Sequence, residues 1–191
     1  MKICVYGAAS NEIDRSYLNA GENLGREMSK RGHSLVFGGG ANGMMGAVAK
    51  GVSENGGQIK GIVPHFFNVD GALFDKCDEM IKTDTMRERK KLMEDCSDAF
   101  IVTAGGIGTF EEFFEILTLR SLDRHKKSIA ILNTNGYYND LLSFLKNGVE
   151  KNFLRESNLE LFFVSDDVEA VLSYLESYKN TSNYISKTRF S

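Results

Sequence analysis

Along the chain, short runs of consecutive apolar residues alternate with longer stretches in which apolar positions recur at helical spacing. The short runs predict strands at 3–6, 35–37, 59–63, 79–82, 99–102, 129–132 and 161–164. The longer stretches predict helices at about 15–31, 43–55, 85–96, 109–123, 137–151 and 167–178. A run such as Ala99-Phe100-Ile101-Val102 has no polar side, so both of its faces need cover, as in a buried parallel strand. Alternation of such strands with helices predicts an α/β fold: a doubly wound, Rossmann-like parallel sheet with helices on both faces. A single domain is expected over 1–179, followed by a polar tail at 180–191 that starts Asn180-Thr181-Ser182-Asn183. The one proline, Pro64, suits the end of the third strand, and 64–78, the longest stretch without periodicity, suits a loop over a site.

Composition narrows this only a little. With 191 residues, 42% hydrophobic and 26% charged, the chain is long enough for one well-buried core. A net charge of −3 offers no general attraction to a nucleic-acid polymer or an anionic membrane. No segment approaches the roughly 20 apolar residues of a membrane span. Any phosphate must therefore be met by local devices. Cys4, Cys77 and Cys96 are scattered, odd in number and lack a CxxC pair, which reads as reduced thiols. With no leader-like N-terminal stretch, the expected location is cytoplasmic. His33, His65 and His125 show no ligand spacing, so no metal is expected and these rings should be surface or structural.

In an open α/β sheet, ligands collect at the carboxyl ends of the strands. Three of those ends are rich in small residues. Gly7-Ala8-Ala9-Ser10 follows the first strand, and it serves equally as a binding turn or as a close-packing one. Gly38-Gly39-Gly40-Ala41-Asn42-Gly43-Met44-Met45-Gly46 follows the second. Its glycines allow backbone N–H groups close to a phosphate, and a helix N-terminus adds positive partial charge. Residues 38–43 fit G-x-G-x-x-G, but no acid follows the next strand to hold a ribose hydroxyl, which disfavours NAD. No Gly-Lys-Ser/Thr follows either, so a Walker A loop is excluded. The third end, Thr103-Ala104-Gly105-Gly106-Ile107-Gly108-Thr109-Phe110-Glu111-Glu112, opens another helix, so that two helix N-termini are expected to converge on one anion. Thr109 and Glu112 also have the T-x-x-E spacing of a capping box, so Glu112 is either a helix cap or a carboxylate beside the sugar of a bound nucleotide. In Met86-Arg87-Glu88-Arg89-Lys90-Lys91, part of the charge must face solvent, but an arginine in the first turn can clamp a phosphate or hydroxyl.

Taken together, these residues resemble the LOG-like proteins, phosphoribohydrolases that release cytokinin bases from their riboside monophosphates and that were often labelled lysine decarboxylases. The family's motifs look like GGGxxGLMG and PGGxGTxEE, joined by M-H-x-R-K. Here they correspond to Gly38–Gly46 with Met44 for leucine, to 104–112 with Ala104 for proline, and to 86–90 with Arg87 for histidine. The likeness extends to Tyr17, Leu24 and Gly25 and to Asn133, Gly136, Tyr137 and Tyr138, covering roughly 1–165. It implies Arg89 and Glu112 as catalytic residues. It implies substrate contacts at Lys90, at Gly106, Ile107, Gly108, Thr109, Phe110 and Glu111, and at Thr118. The strand-end loops and the first turn of the arginine segment add Gly7, Ser10, Gly39, Gly40, Gly43, Met86 and Gly105 as candidate contacts. Where the family has an acidic binding residue after the third strand, this chain has Gly71 with Asp70 beside it.

The implied reaction is hydrolysis of the N-glycosidic bond of a purine-type nucleoside 5′-monophosphate (a cytokinin riboside or AMP), without a cofactor. The bond would break through a sugar cation resembling an oxocarbenium ion; Glu112 would stabilise that charge, hold ribose hydroxyls or activate water, and Arg89 would orient the sugar and phosphate. The resemblance further implies a homodimer, for which Phe110, Phe113, Phe114 and Leu117 offer either an interface or packing onto the sheet. The rival readings are a non-catalytic nucleotide sensor or carrier, and a pyridoxal-dependent decarboxylase. The latter needs a lysine set apart for a Schiff base, and no lysine here stands out.

Overall fold

The computed structural model describes residues 1–67 and 71–179; the tail expected at 180–191 and Asp70 lie outside the described residues. The elements run β1 (Lys2–Tyr6), α1 (Arg15–Lys30), β2 (Ser34–Phe37), α2 (Gly43–Glu54), β3 (Ile59–Pro64), β4 (Glu79–Thr83), α3 (Met86–Asp95), β5 (Ala99–Val102), α4 (Ile107–Ser121), β6 (Ser128–Leu132), a short 3₁₀ turn (Thr134–Gly136), α5 (Asn139–Glu150), α6 (Glu156–Leu159), β7 (Phe163–Ser165) and α7 (Val168–Ser177). The seven strands form one sheet in the order β4-β3-β2-β1-β5-β6-β7, and every neighbouring pair is parallel. This is the doubly wound fold expected from the strand–helix alternation.

The period of two along each strand divides the core into two layers. Ile3, Val5, Leu35, Phe37, Ala99 and Ile101 face one side, where Leu24 and Met28 of α1, Val48 and Val52 of α2 and Val171 and Leu172 of α7 cover them. Cys4, Tyr6, Val36, Phe100 and Val102 face the other, under Met93 of α3, Phe113 and Ile116 of α4 and Leu145 of α5. The strands read as all-apolar because both faces are buried.

Chain order and sheet order together place the ligand crevice. From β1 the chain winds outward through β2, β3 and β4, then returns to lay β5 against the other side of β1. The carboxyl ends of β1 and β5 therefore flank the switch point, the place where connections diverge and leave a gap.

Local departures from the expected elements are small. The helix expected from 109 starts at Ile107, and α6 was not expected, being only four residues long. Cys4, Cys77 and Cys96 are free, and burial pushes the Cys4 thiol up to about 12, so it remains protonated and inert at neutral pH. His33 Nε2 lies 2.7 Å from Glu176 Oε1, and His125 Nε2 lies 2.8 Å from the Ile116 carbonyl, so both rings are structural; His65 is exposed. No helix is long and apolar enough to cross a membrane among the described residues.

Candidate active site

Helix N-termini leave several N–H groups without intrahelical partners, and the way each is satisfied separates structural ends from available ones. Asp14 caps α1, accepting from Ser16 N–H at 2.8 Å, and Asp167 caps α7 through Glu169 and Ala170 N–H. Helix α3 has a full capping box: Thr85 Oγ1 accepts from Glu88 N–H at 3.1 Å while the Glu88 carboxylate accepts from Thr85 N–H at 3.3 Å. Helices α2, α4 and α5 have no cap from their own N-cap side chain, and the first two are the helices that follow the glycine loops.

The two ends differ in what meets them. The Asn11 side-chain carbonyl accepts from Gly43 N–H at 2.8 Å, and Ala8 O accepts from Met45 N–H at 3.2 Å. The first turn of α2 is therefore partly used up by the 8–11 turn. Helix α4 starts from Gly106 as N-cap, a residue with no side chain to give. The capping-box reading of Thr109 and Glu112 fails for the same reason: Thr109 is already inside the helix and buried, and Glu112 lies one turn further on.

Glu112 instead points at Arg89. Arg89 Nη1 donates to Glu112 Oε1 at 3.0 Å, and Arg89 Nε donates to the Ile62 carbonyl at 3.1 Å. The two side chains are only 10% and 11% exposed. A Cβ on Gly38 would collide with the Arg89 guanidinium, so that glycine exists to let the arginine through. Burial pushes the Glu112 carboxyl above its ordinary range, and the charge and hydrogen bond of Arg89 offset this only in part. A carboxyl so placed can exchange a proton nearer to neutrality than a solvated one.

This pair lies at the edge of a cavity of about 410 Å³, which is within the range of small-ligand sites. Its polar side is made by Gly7, Asn42, Arg89, Gly106, Gly108, Thr109, Glu111 and Glu112. Its apolar side is made by Met45, Val63, Pro64, Phe67, Ala72, Leu73 and Met86. Of the stretch after Pro64, Phe67, Ala72 and Leu73 line the cavity; Gly40 and Leu73 form an antiparallel bridge, and Ala72 O accepts from Ala41 N–H at 2.9 Å.

Of the residues singled out from sequence, Gly7, Gly40, Met86, Arg89, Gly106, Gly108, Thr109, Glu111 and Glu112 line this cavity. Others stand just behind it. Gly39, at φ 75°, packs against Val63 and Met80; Gly43, at φ 61°, abuts the Ala8 and Ser10 carbonyls; Gly105 lies under Thr109. Ser10 Oγ accepts from Glu12 N–H at 3.1 Å, closing its own turn. Four lie elsewhere in this chain. The Lys90 ammonium is held by Glu111 and Glu115 beside the cavity, the latter at 2.8 Å. Ile107 projects outward with 86% of its surface exposed, Phe110 packs edge-on to Tyr138 in the core, and Thr118 is exposed two turns further along α4. Phe113 is fully buried, Phe110 and Leu117 pack against the same core layer, and Phe114 is exposed.

Sequence reasoning did not find Asn11, Asn42, Met45 or the roles of Tyr137 and Tyr138. The Tyr137 hydroxyl donates to the Gly105 carbonyl at 2.6 Å and the Tyr138 hydroxyl to the Thr103 carbonyl at 2.7 Å. The adjacent tyrosines near the sixth strand were visible in the sequence, but only as part of a likeness.

A family profile described as "Possible lysine decarboxylase" matches residues 45–175. Cytokinin riboside 5′-monophosphate phosphoribohydrolase LOG5 of Arabidopsis thaliana is 34% identical over 190 residues, spanning 99% of this chain and 83% of that protein. The probable cytokinin riboside 5′-monophosphate phosphoribohydrolase LOGL9 of Oryza sativa subsp. japonica is 36% identical over 177 residues, 93% of this chain and 78% of that protein. Among solved structures, the molybdenum cofactor carrier protein of Chlamydomonas reinhardtii superposes with a TM-score of 0.69 at 23% identity, over 93% of this chain and 98% of that one. That likeness concerns the fold alone. With the motif order, the crevice geometry and relatives that align over nearly its whole length, the chain belongs to the LOG family.

Proposed function

We propose that this chain is a phosphoribohydrolase that cleaves the N-glycosidic bond of a purine-type nucleoside 5′-monophosphate, a cytokinin riboside monophosphate or AMP, releasing the base and ribose 5-phosphate. The carrying observation is the buried Arg89–Glu112 pair, set 3.0 Å apart at the edge of a cavity that also receives the uncapped N-terminus of α4. The relatives named as cytokinin riboside 5′-monophosphate phosphoribohydrolases support the same reaction.

The chemistry follows from the parts. The 5′-phosphate sits on the Gly106–Gly108 turn, where free N–H groups and the helix dipole favour an anion. Glu112, one turn along the same helix, is then beside the ribose. As the C1′–N bond lengthens, positive charge grows on the sugar, and the Glu112 carboxylate stabilises it. Water adds to C1′, one of its protons is taken by Glu112 or solvent, and the departing base nitrogen is protonated. Arg89 fixes the carboxylate and contributes orientation. The apolar wall of Val63, Phe67, Leu73 and Met86 receives the base. None of these steps calls for a metal or organic cofactor.

The test is release of free base from AMP and from an N6-isopentenyl AMP, followed by chromatography. For Glu112→Gln, turnover should fall by about 10²- to 10⁴-fold, the usual weight of a positioned acid–base group, with nucleotide affinity retained. Normal turnover in that variant would remove Glu112 from the chemistry. A nucleotide carrier on the same fold predicts something different, retention of the monophosphate by wild type with no base released. The homodimer implied by the family likeness is also proposed, with the exposed Ile107 and Phe114 of α4 as its apolar contacts. Light scattering reads it directly, and a cytoplasmic location remains part of the same proposal.

A further inference from the structure

The three carbonyls that lead into α4 are all engaged by hydrogen bonds from other segments. Thr103 O accepts from the Tyr138 hydroxyl at 2.7 Å, Ala104 O from Ala8 N–H at 3.0 Å and Gly105 O from the Tyr137 hydroxyl at 2.6 Å. A trans peptide unit is planar, with its C=O and N–H pointing in opposite directions. Holding the Gly105 carbonyl on Tyr137 therefore turns the Gly106 N–H the other way, and Gly106 lines the cavity. Gly106 itself has open space where a side chain would be, so nothing on its own side steers this peptide.

The tyrosine is in turn held in place. Tyr17 of α1 meets its ring edge-on at 5.9 Å, and Tyr138 does so at 5.0 Å. The preceding turn uses left-handed backbone at Asn135 (φ 55°) and Gly136 (φ 71°), and Asn135 Nδ2 donates to Ser16 Oγ at 2.7 Å. The N-terminal turn of α1 thus braces the β6–α5 turn, and that turn aims the peptide at the head of α4.

We propose that Tyr137 is a positioning residue for the phosphate: its hydroxyl orients the Gly105–Gly106 peptide so that the Gly106 N–H meets the 5′-phosphate. This rests on the reading of the cavity as a nucleoside monophosphate site. Tyr138 makes the matching bond one peptide earlier but is only 1% exposed, so its bond contributes chiefly to folding.

The experiment compares AMP with adenosine by calorimetry, in Glu112→Gln protein so that ligand is not consumed, with and without Tyr137→Phe. Phenylalanine keeps the ring and its packing on Tyr17 and removes only the hydroxyl. Loss of one well-made hydrogen bond should weaken AMP about five- to tenfold. Adenosine affinity should stay within about twofold, and the cooperative unfolding transition should be retained, since only the hydroxyl's bond to the buried Gly105 carbonyl is lost. Equal weakening of both ligands would mean a merely structural role and overturn the proposal. An unchanged AMP-to-adenosine ratio would overturn it as well. Failure of the functional reading looks different: the Glu112→Gln protein with its tyrosine intact would show no preference for AMP over adenosine.

Discussion

The two glycine loops lie against one cavity, yet their glycines answer to different needs. In 38–46, the missing side chains make room for protein. A Cβ on Gly38 would strike the Arg89 guanidinium, one on Gly39 would strike Val63, and one on Gly46 would strike the Ala41 carbonyl. Gly39 and Gly43 also need positive φ, at 75° and 61°. In 103–109, Gly105 is likewise crowded by Thr109, but Gly106 and Gly108 face open space, and neither has positive φ. Every other glycine in the chain has either a neighbour within 4 Å of its would-be Cβ or a left-handed backbone. The first loop is therefore a fitted joint that seats Arg89 and α2. The second leaves backbone exposed at the head of a helix, where a ligand can reach it. A glycine motif alone does not distinguish these; what the absent side chain would have touched does.

The strongest way to break this comparison is to add the same methyl group to each loop. Gly46→Ala puts a Cβ into the Ala41 carbonyl, and neither atom belongs to a flexible side chain, so the 38–43 turn must shift. The expected cost is about 3 kcal/mol of stability, the upper end of overpacking. Gly106→Ala meets nothing, and alanine's poorer fit at an N-cap should cost no more than about 1 kcal/mol. Urea unfolding of both variants decides it. Similar losses would mean that the second loop is as tightly fitted as the first.

Much of this was legible beforehand, for physical reasons that differ from element to element. The β1, β2, β5 and β6 strands showed as unbroken apolar runs because both of their faces are buried, and that same fact implied the parallel sheet. Helix α6 has four residues, too few for periodicity to appear. Two T-x-x-E patterns occur near the site, and only one is a cap: Thr85 and Glu88 close a capping box, while Thr109 and Glu112 do not, because α4 begins two residues before Thr109. Spacing was the same in both, and only the position of the helix start separates them. The Arg89–Glu112 pair was reached through the family likeness; the residues themselves left Arg89 as one cation in a charged run. The link from Asn11 to Gly43 N–H and the grip of Tyr137 on Gly105 join positions 32 residues apart in each case, and no local pattern records them.

The joint between the loops is the Arg89–Glu112 pair, since Arg89 passes Gly38 and Glu112 rises from α4. Its pH dependence has a definite sign. Burial holds the folded Glu112 carboxyl above the ordinary 4.5, so the folded chain binds this proton more tightly than the unfolded one. Its contribution to stability is complete below that ordinary value and is lost as pH rises through the folded value. Glu112→Gln lacks this dependence. The stability of wild type relative to the variant should therefore fall as pH increases above 4.5, by no more than about 1.4 kcal/mol per unit. Denaturant midpoints of the two proteins between about pH 4 and 8 measure it. A relative stability that rises with pH would mean that Arg89 outweighs burial, making the joint a stabilising ion pair and not a strained one.

The subtlest test falls on Gly108, inside the first turn of α4, where open space surrounds the would-be Cβ. Glycine within a helix is less favourable than alanine by about 0.5–1 kcal/mol, because it forfeits more backbone entropy. Gly108→Ala should therefore stabilise the protein by about that amount. If the exposed backbone at 106–108 is where the phosphate rests, the added methyl group stands between ligand and N–H groups. AMP affinity should then fall several-fold while the unfolding midpoint rises. Opposite movement of the two quantities is what a glycine kept for a ligand predicts. Were stability to rise with AMP affinity unchanged, the second loop would hold no phosphate at Gly108, and the contrast between the loops would reduce to how tightly each is packed.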